Sequence, residues 1–361
     1  MVSPHLSGHD PPLAQGDVYR EGLPYAVHAP SLLNAQPWRV EMVKGQSMRL
    51  WIDRERMFPA LDPVNRHTLI SQATFLENFK IAASYFGYRT SIDYFPLGWG
   101  TDATIHEFPI AQVECSPSPD NRNADPLFPF LMTRQTCRTP FDKKPLDNDA
   151  LVDVAGSFES EFTSFVTLTD PEVCREIGDL VARALPLALG SRERTMEWIK
   201  MVRFDEDEAR LSGDGIGLSW LGGGESLLSV ITGKRLSREK VQADPELFCA
   251  YLRERCAEQV RSAAGYGWIS TKGKSRVNLI HAGRALERVW LHATSAGIGL
   301  QPYHHVLGDY PGTGELHGEL KDILGISGSH TVQAFFRLGY AASAKTRTFR
   351  RPPESFLMPP P

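Results

Sequence analysis

The chain has 361 residues, 42% of them hydrophobic and 23% charged, with a formal net charge of −4 at pH 7. Those proportions are those of a globular protein and argue against general nucleic-acid binding, and no apolar run approaches the roughly 18 residues of a membrane span. The five cysteines, at 115, 137, 174, 249 and 256, form no CxxC and no Cys/His set with ligand spacing. Reduced thiols, no metal and a cytoplasmic location are the expectation. The opening MVSPHLSGHDPPL has no basic region followed by an apolar core, so no secretory signal is expected.

In chain order, residues 1–19 read as an irregular, Pro-rich segment. Strands are expected at 38–43 and 48–53, where Met48, Leu50 and Ile52 alternate with Arg49, Trp51 and Asp53, and Gly45 between the runs implies a hairpin. The spacing of Ala73, Leu76, Phe79, Ala83 and Phe86 predicts a helix over 69–86, stopped by Gly87 and followed by a strand at 88–95. The stretch SPSPDNRNADP, from Ser116, reads as a linker. Beyond it a helix at 146–157, a strand at 160–168 and a helix at 171–186 are expected. Residues 203–224 are polar and then Gly-rich, and read as a mobile loop or lid whose acidic run is a solvated face. Helices follow at 244–263 and 280–296, the latter closed by Gly297, and 353–361 read as a Pro-rich tail.

The two strongest helices align with a shift of 210. Ile70 falls on Ile280, Leu76-Glu77 on Leu286-Glu287, Ala83 on Ala293 and Gly87 on Gly297. A β-like run follows the glycine in both copies, which points to an internal duplication. No G-x-S-x-G elbow, Walker loop or post-strand GxGxxG is present.

The most informative stretch is Ala29–Val40, "APSLLNAQPWRV". Pro30 and Pro37 stiffen the backbone, and Ser31, Asn34 and Gln36 offer uncharged donors and acceptors suited to a heteroaromatic edge. The string resembles the PS-x-x-N-x-QPW signature of the nitroreductase superfamily, especially its duplicated Acg-like branch. Arg134-Gln135-Thr136-Cys137-Arg138 is similar to that branch's R-x-T-N-R turn, with Cys137 in place of Asn. Arg337-Leu338-Gly339-Tyr340 and Arg350-Arg351-Pro352 resemble its R-x-G-Y and RRP ending. Gly297–Pro302 resembles the G-(I/L)-G segment that lies against the flavin. Lys274 departs from the pattern, standing where an acid is usual.

The resemblance implies an α+β fold of two pseudo-symmetric halves with mainly antiparallel sheets, spanning 20–115 and 116–352, the second carrying a lid insertion near 203–224. It implies an FMN-dependent oxidoreductase transferring hydride on a small organic molecule, with NAD(P)H as one candidate donor. Pro30, Ser31, Asn34, Gln36, Arg134, Thr136, Arg138, Gly299, Leu300, Arg350 and Arg351 are the expected cofactor contacts, the arginines reaching the phosphate. His304 and His305 follow the flavin-facing segment and are candidates for an acid or base, with packing as the other reading. The alternatives are an FMN-sequestering protein with little reductase activity, or a fold repurposed for flavin-free chemistry. A monomeric pseudo-dimer or a homodimer fits a fused pair.

Overall fold

A computed structural model describes residues 17–359 apart from 44–46, 119–123, 157–159, 222–235, 327 and 342–346. The Pro-rich start, Gly45 and Gly222–Gly224 therefore lie outside the described residues. Alternating hydrophobicity builds the first sheet. Strands β1 (Trp38–Val43) and β2 (Ser47–Ile52) pair antiparallel, Trp38 opposite Ile52 and Val43 opposite Ser47. Their inward residues Trp38, Val40, Met48 and Leu50 are fully buried. Strands β3 (Tyr88–Tyr94) and β4 (Ala111–Pro117) complete an antiparallel sheet of order β1-β2-β4-β3.

The second half repeats this plan around an insertion. Strand β5 (Thr163–Leu168) is followed by helices Pro171–Ala188 and Arg192–Lys200, a short parallel pair β6 (Val202–Arg203) and β7 (Ile216–Gly217) flanking helix Glu206–Ser212, and helices Arg238–Ala243 and Pro245–Arg261. Then come β8 (Gly265–Lys272), β9 (Gly299–Pro302) and β10 (His330–Gly339), giving an antiparallel sheet of order β5-β8-β10-β9. Strand for strand this is the order of the first sheet. The insertion occupies the place of the Val43–Ser47 hairpin.

Two 20-residue helices, Arg66–Tyr85 and Arg276–Ser295, run through the middle and pack on each other. Their bounds differ by 210 at both ends, so the shift read from sequence maps one helix onto the other residue for residue. Each ends at a glycine in the left-handed region, Gly87 (φ 83°) and Gly297 (φ 69°), where an L side chain would be strained. The helices cross at a pseudo-equivalent pair. A Cβ on Gly283 would lie 2.6 Å from the Cβ of Ala73, its partner under the shift, so the close approach requires glycine. The fold is α+β with two pseudo-symmetric halves.

Four sequence expectations need correction. Ser116 and Pro117 end β4, so the linker does not begin there. Residues 203–221 carry helix Glu206–Ser212, strand β7 and a helical turn Leu218–Trp220 where a loop was expected, and their acidic run is capping chemistry in part, since Asp205 accepts from Glu208 N. The C-terminal tail is docked: Phe356 is buried, and its carbonyl and the Met358 N–H extend β1 through Val40. Helices Val18–Ala26 and Thr313–Ile323 were not anticipated at all. Among the described residues no helix is long and apolar enough to cross a membrane, and no cluster of His, Cys, Asp and Glu is suited to a metal.

Candidate functional site

A cavity of about 460 Å³ opens where the halves meet. Its walls come from the 30–34 loop, one face of the first central helix (His67, Ile70, Ser71, Thr74), the 134–139 segment, residues 301–305, the insertion, and Arg347–Arg350.

The loop entering β1 is strained. Leu33 (φ 51°), Asn34 (φ 56°) and Gln36 (φ 54°) all adopt left-handed backbone without being glycine. Such residues cost on the order of 1–3 kcal/mol each and persist only where neighbours enforce them. The enforcement is visible. Gly215 N donates to Asn34 O, Asn34 Nδ2 donates to the carbonyls of Gly215 (3.0 Å) and Phe349 (3.1 Å), and Gln36 Nε2 donates to Gly213 O at 2.8 Å. Asp214 bonds Arg203 and, at 2.7 Å, Arg56, which also donates to Ala35 O. Ser31 Oγ accepts from Gln36 N at 2.9 Å, which leaves its hydroxyl hydrogen free to donate. Asn34 lines the cavity, and its Oδ1 is buried without a hydrogen-bond partner.

Arginines gather at one end. Arg134 pairs with the buried Glu287 at 3.2 Å, donates to His28 O and stacks 4.5 Å over Trp290. Arg350 donates to the carbonyls of Val27 and His28 and to Thr348, all uncharged acceptors. Among the described residues no carboxylate pairs with Arg138, Arg347 or Arg350. The electrostatic consequence is consistent. Burial, then the charge of Arg134, pulls Arg350 down to about 9, and burial takes Arg138 to about 10. Burial, with Arg350, Arg347 and Arg134 nearby, drops His28 to about 3. Burial also lifts Glu287 to about 7, against the opposing pull of Arg134. The end of the cavity is an electropositive, partly dry pocket that favours an anion.

His304 and His305 both line the cavity, but neither titrates near neutrality. Burial holds His304 well below its ordinary value, with His67, 4.6 Å away ring to ring, adding to the effect. Burial takes His305 to about 4, and its Nε2–H donates to Val181 O at 3.1 Å. A carbonyl only accepts, so the Nδ1 of His305 is left as an acceptor. Burial favours the neutral imidazole at both positions, a form that can accept a proton but is a poor donor of one.

Of the other expected contacts, Pro30, Ser31, Asn34, Arg134, Thr136, Arg138 and Arg350 line the cavity. Four do not. Gln36 is fully buried and spends its amide on Gly213 O, Asn34 O and Arg351 N. Arg351 turns away to Gln36 O and Trp38 O. Leu300 is core, and Gly299 packs where a Cβ would meet Cys137 Sγ and Phe141 at 2.8 Å. Sequence reasoning missed His28, His67, Ser71, Thr74 and Arg347. Ser71 and Thr74 had a signal, as polar residues on an otherwise apolar helix face; Arg347 had none.

A model of the Nitroreductase family matches residues 131–340. The chain is 24% identical over 331 residues to a Mycobacterium tuberculosis protein named as an NAD(P)H nitroreductase, acg, over 90% of this chain and 89% of that one. An uncharacterized protein of the same organism is 32% identical over 122 residues, covering 32% of this chain and 33% of that one. Among solved structures, a nitroreductase with bound FMN from Bacteroides fragilis gives a TM-score of 0.35 at 15% identity, over 63% of this chain and 95% of that one. An FMN-bound nitroreductase from Desulfitobacterium hafniense gives 0.38 at 13%, with the same coverage.

Proposed function

This chain belongs to the Nitroreductase family, and on that footing we propose that it is an FMN-dependent oxidoreductase acting on a small organic molecule. The observation that carries the reading is the cavity's arginine end, where Arg138, Arg347 and Arg350 have no carboxylate partner among the described residues while Asn34 Oδ1 stands buried and unpaired. A phosphate dianion answers the first and a donor on a ribityl chain or flavin edge answers the second, so the residues present fit FMN. Arg134, Arg138 and Arg350 would hold the phosphate end, with Thr136 beside them. Ser31 and Asn34 would hydrogen-bond the polar edge, and the Pro30 wall would keep the loop rigid.

A bound flavin supplies hydride transfer. The chain's own residues bind it, orient it and keep water out. His304 and His305, being neutral, would orient a substrate by hydrogen bonds rather than deliver a proton. NAD(P)H as electron donor belongs to the same proposal, and so does the division into 20–115 and 116–352 with 203–224 as a cover on the substrate side. Ile216, Trp220 and Leu221 from that segment do line the cavity. The same coverage favours a second reading, a protein that retains FMN and reduces little.

The visible spectrum of the purified protein tests both. Oxidised-flavin bands are expected, and their absence would remove the reading. Bleaching by NADH or NADPH under anaerobic conditions supports the oxidoreductase; bands that persist favour retention.

A further inference from the structure

Arg337, on β10, is fully buried, yet no carboxylate pairs with it among the described residues. All its donors end on neutral acceptors: Gln301 Oε1 (2.8 Å), Gln259 O (2.7 Å), Ser262 Oγ (2.9 Å), Cys137 O (3.1 Å) and Thr139 O (2.7 Å). Its Cζ lies 4.2 Å over the Phe141 ring. Burying a charge this way is unfavourable unless every donor is used, so a purely structural position would be better served by an apolar residue.

The duplication shows that the sheet itself does not call for this arginine. Gln301 is Ser91 under the shift of 210, and the residue paired with Ser91 is Glu114, just as Arg337 is paired with Gln301. Ser91 and Glu114 are exposed. The same register position therefore carries a solvated acid in one half and a buried base in the other. The difference is what lies over it: the 137–139 segment and the end of helix Pro245–Arg261.

Three consecutive carbonyls of that segment are held. Arg337 takes those of Cys137 and Thr139, and Gln259 Nε2 donates to that of Arg138 at 2.8 Å. Cys137 N donates to Leu300 O on the other side. Gln301 Nε2 in turn holds Gln259 Oε1 at 3.0 Å, which closes the network. The backbone of 137–139 is fixed, and Arg138 is the one cationic residue of these three that line the cavity.

We propose that Arg337, which does not line the cavity, is a positioning residue that clamps the 137–139 peptide so that Arg138 is presented to the ligand. The proposal rests on the FMN reading for the ligand's identity. Cys137 O and Thr139 O both accept from Nη2, and that nitrogen is held in place by the other two arms, Nε on Gln301 and Nη1 on Gln259 O and Ser262 Oγ; a lysine keeps the charge and loses both anchoring arms.

The test uses the full-length protein and FMN as probe. Arg337→Lys should weaken FMN about tenfold or more, the range of a lost charge-assisted contact, although the net charge is unchanged. The double variant with Arg138→Gln should bind no more weakly than Arg138→Gln alone. Additive losses would overturn the proposal, since a merely structural residue would weaken both backgrounds alike. In ligand-free protein, amide exchange across 136–139 should accelerate at least tenfold in Arg337→Lys, and unchanged exchange also overturns it. If that variant does not fold, Gln259→Leu removes the tie to Arg138 O together with the Gln301 and Leu221 contacts, leaves both Arg337 bonds to the segment in place, and should give the same pattern. A wild type that takes up no FMN would sink the functional reading and the ligand half of this proposal, while the exchange data still judge the clamp.

Discussion

Replacing Arg350 by Gln should separate FMN from riboflavin. The Arg350 guanidinium touches only carbonyl oxygens and Thr348, so the change removes a cation without orphaning a buried carboxylate. Losing one charge-assisted contact to phosphate is worth roughly 1.5–3 kcal/mol, or a 10- to 150-fold rise in Kd for FMN. Riboflavin has no phosphate and should bind unchanged. The pH dependence follows from the same group. With its folded pKa at about 9, free Arg350 loses its proton as pH rises through 9, while a bound phosphate holds it protonated. FMN affinity should therefore be flat at neutral pH and fall by up to about tenfold per pH unit above 9; the riboflavin curve should not share that step. Fluorescence-quenching titrations of both ligands, with thermal melts as a folding control, read all of this. Equal losses for the two ligands would show that Arg350 serves the loop at Val27 and His28, and would refute its placement at the phosphate.

Asp214→Asn should lower stability by about 1–3 kcal/mol in urea unfolding and weaken FMN and riboflavin alike, because it loosens the tie onto Ala35 and Asn34. Burial alone would raise this carboxyl, but Arg56 and Arg203 outweigh it and hold it below the ordinary range. Its contribution is thus complete above about pH 4 and lost as pH falls through the depressed value, so the gap between wild type and variant should shrink on acidification; a gap independent of pH would contradict this. Gly283→Ala should destabilise by about 1–3 kcal/mol, since the new methyl meets Ala73 and the Ile70 carbonyl at 2.6 Å, and a neutral result would mean the helix crossing adjusts freely. His304→Gln and His305→Gln should keep turnover within about tenfold at full FMN occupancy; a loss of 10²–10⁴-fold would restore the acid–base role. Acid-released flavin should amount to one per chain, and a ratio near two would reveal a second site.

The parts legible in the sequence were those with strong periodicity or a dense motif. The 210 shift rested on apolar spacing and on Gly87 and Gly297, both local signals, and it located both central helices. Strands β8 and β10 were missed because burial on both faces removes alternation: Gly265–Thr271 and Val332–Gly339 are buried throughout. Within the PS-x-x-N-x-QPW string the motif marked the right place, but its roles divide only in three dimensions. Asn34 lines the cavity, while Gln36, two residues on, is consumed by the docked 213–215 turn. Arg350 and Arg351 divide in the same way. The Phe356 anchor was hidden by its prolines, which signal irregularity and say nothing of burial.

The duplication explains why the cavity is one-sided. Each central helix carries a buried glutamate at the same position, Glu77 and Glu287. Glu77 is neutralised from the other helix, by Arg284 at 2.6 Å and Arg288 at 3.0 Å. Under the shift those arginines correspond to Thr74 and Asn78, which carry no charge to offset Glu287. That carboxylate takes Arg134 instead, from the 134–139 segment, and Arg134 thereby becomes part of a cavity wall. The exchange also changes the space. Where the first helix presents Ser71 and Thr74 to the cavity, the second presents His281, covered by Phe162 at 4.3 Å, and Arg284, bonded to Tyr94. A roof completes the asymmetry, because the insertion between β5 and β8 supplies walls such as Leu252 and Trp220, whereas the first half has only the short link from Val43 to Ser47 at that point. Large side chains filled one twin, small ones opened the other, and one set of arginines was left without counter-charges beside the open one.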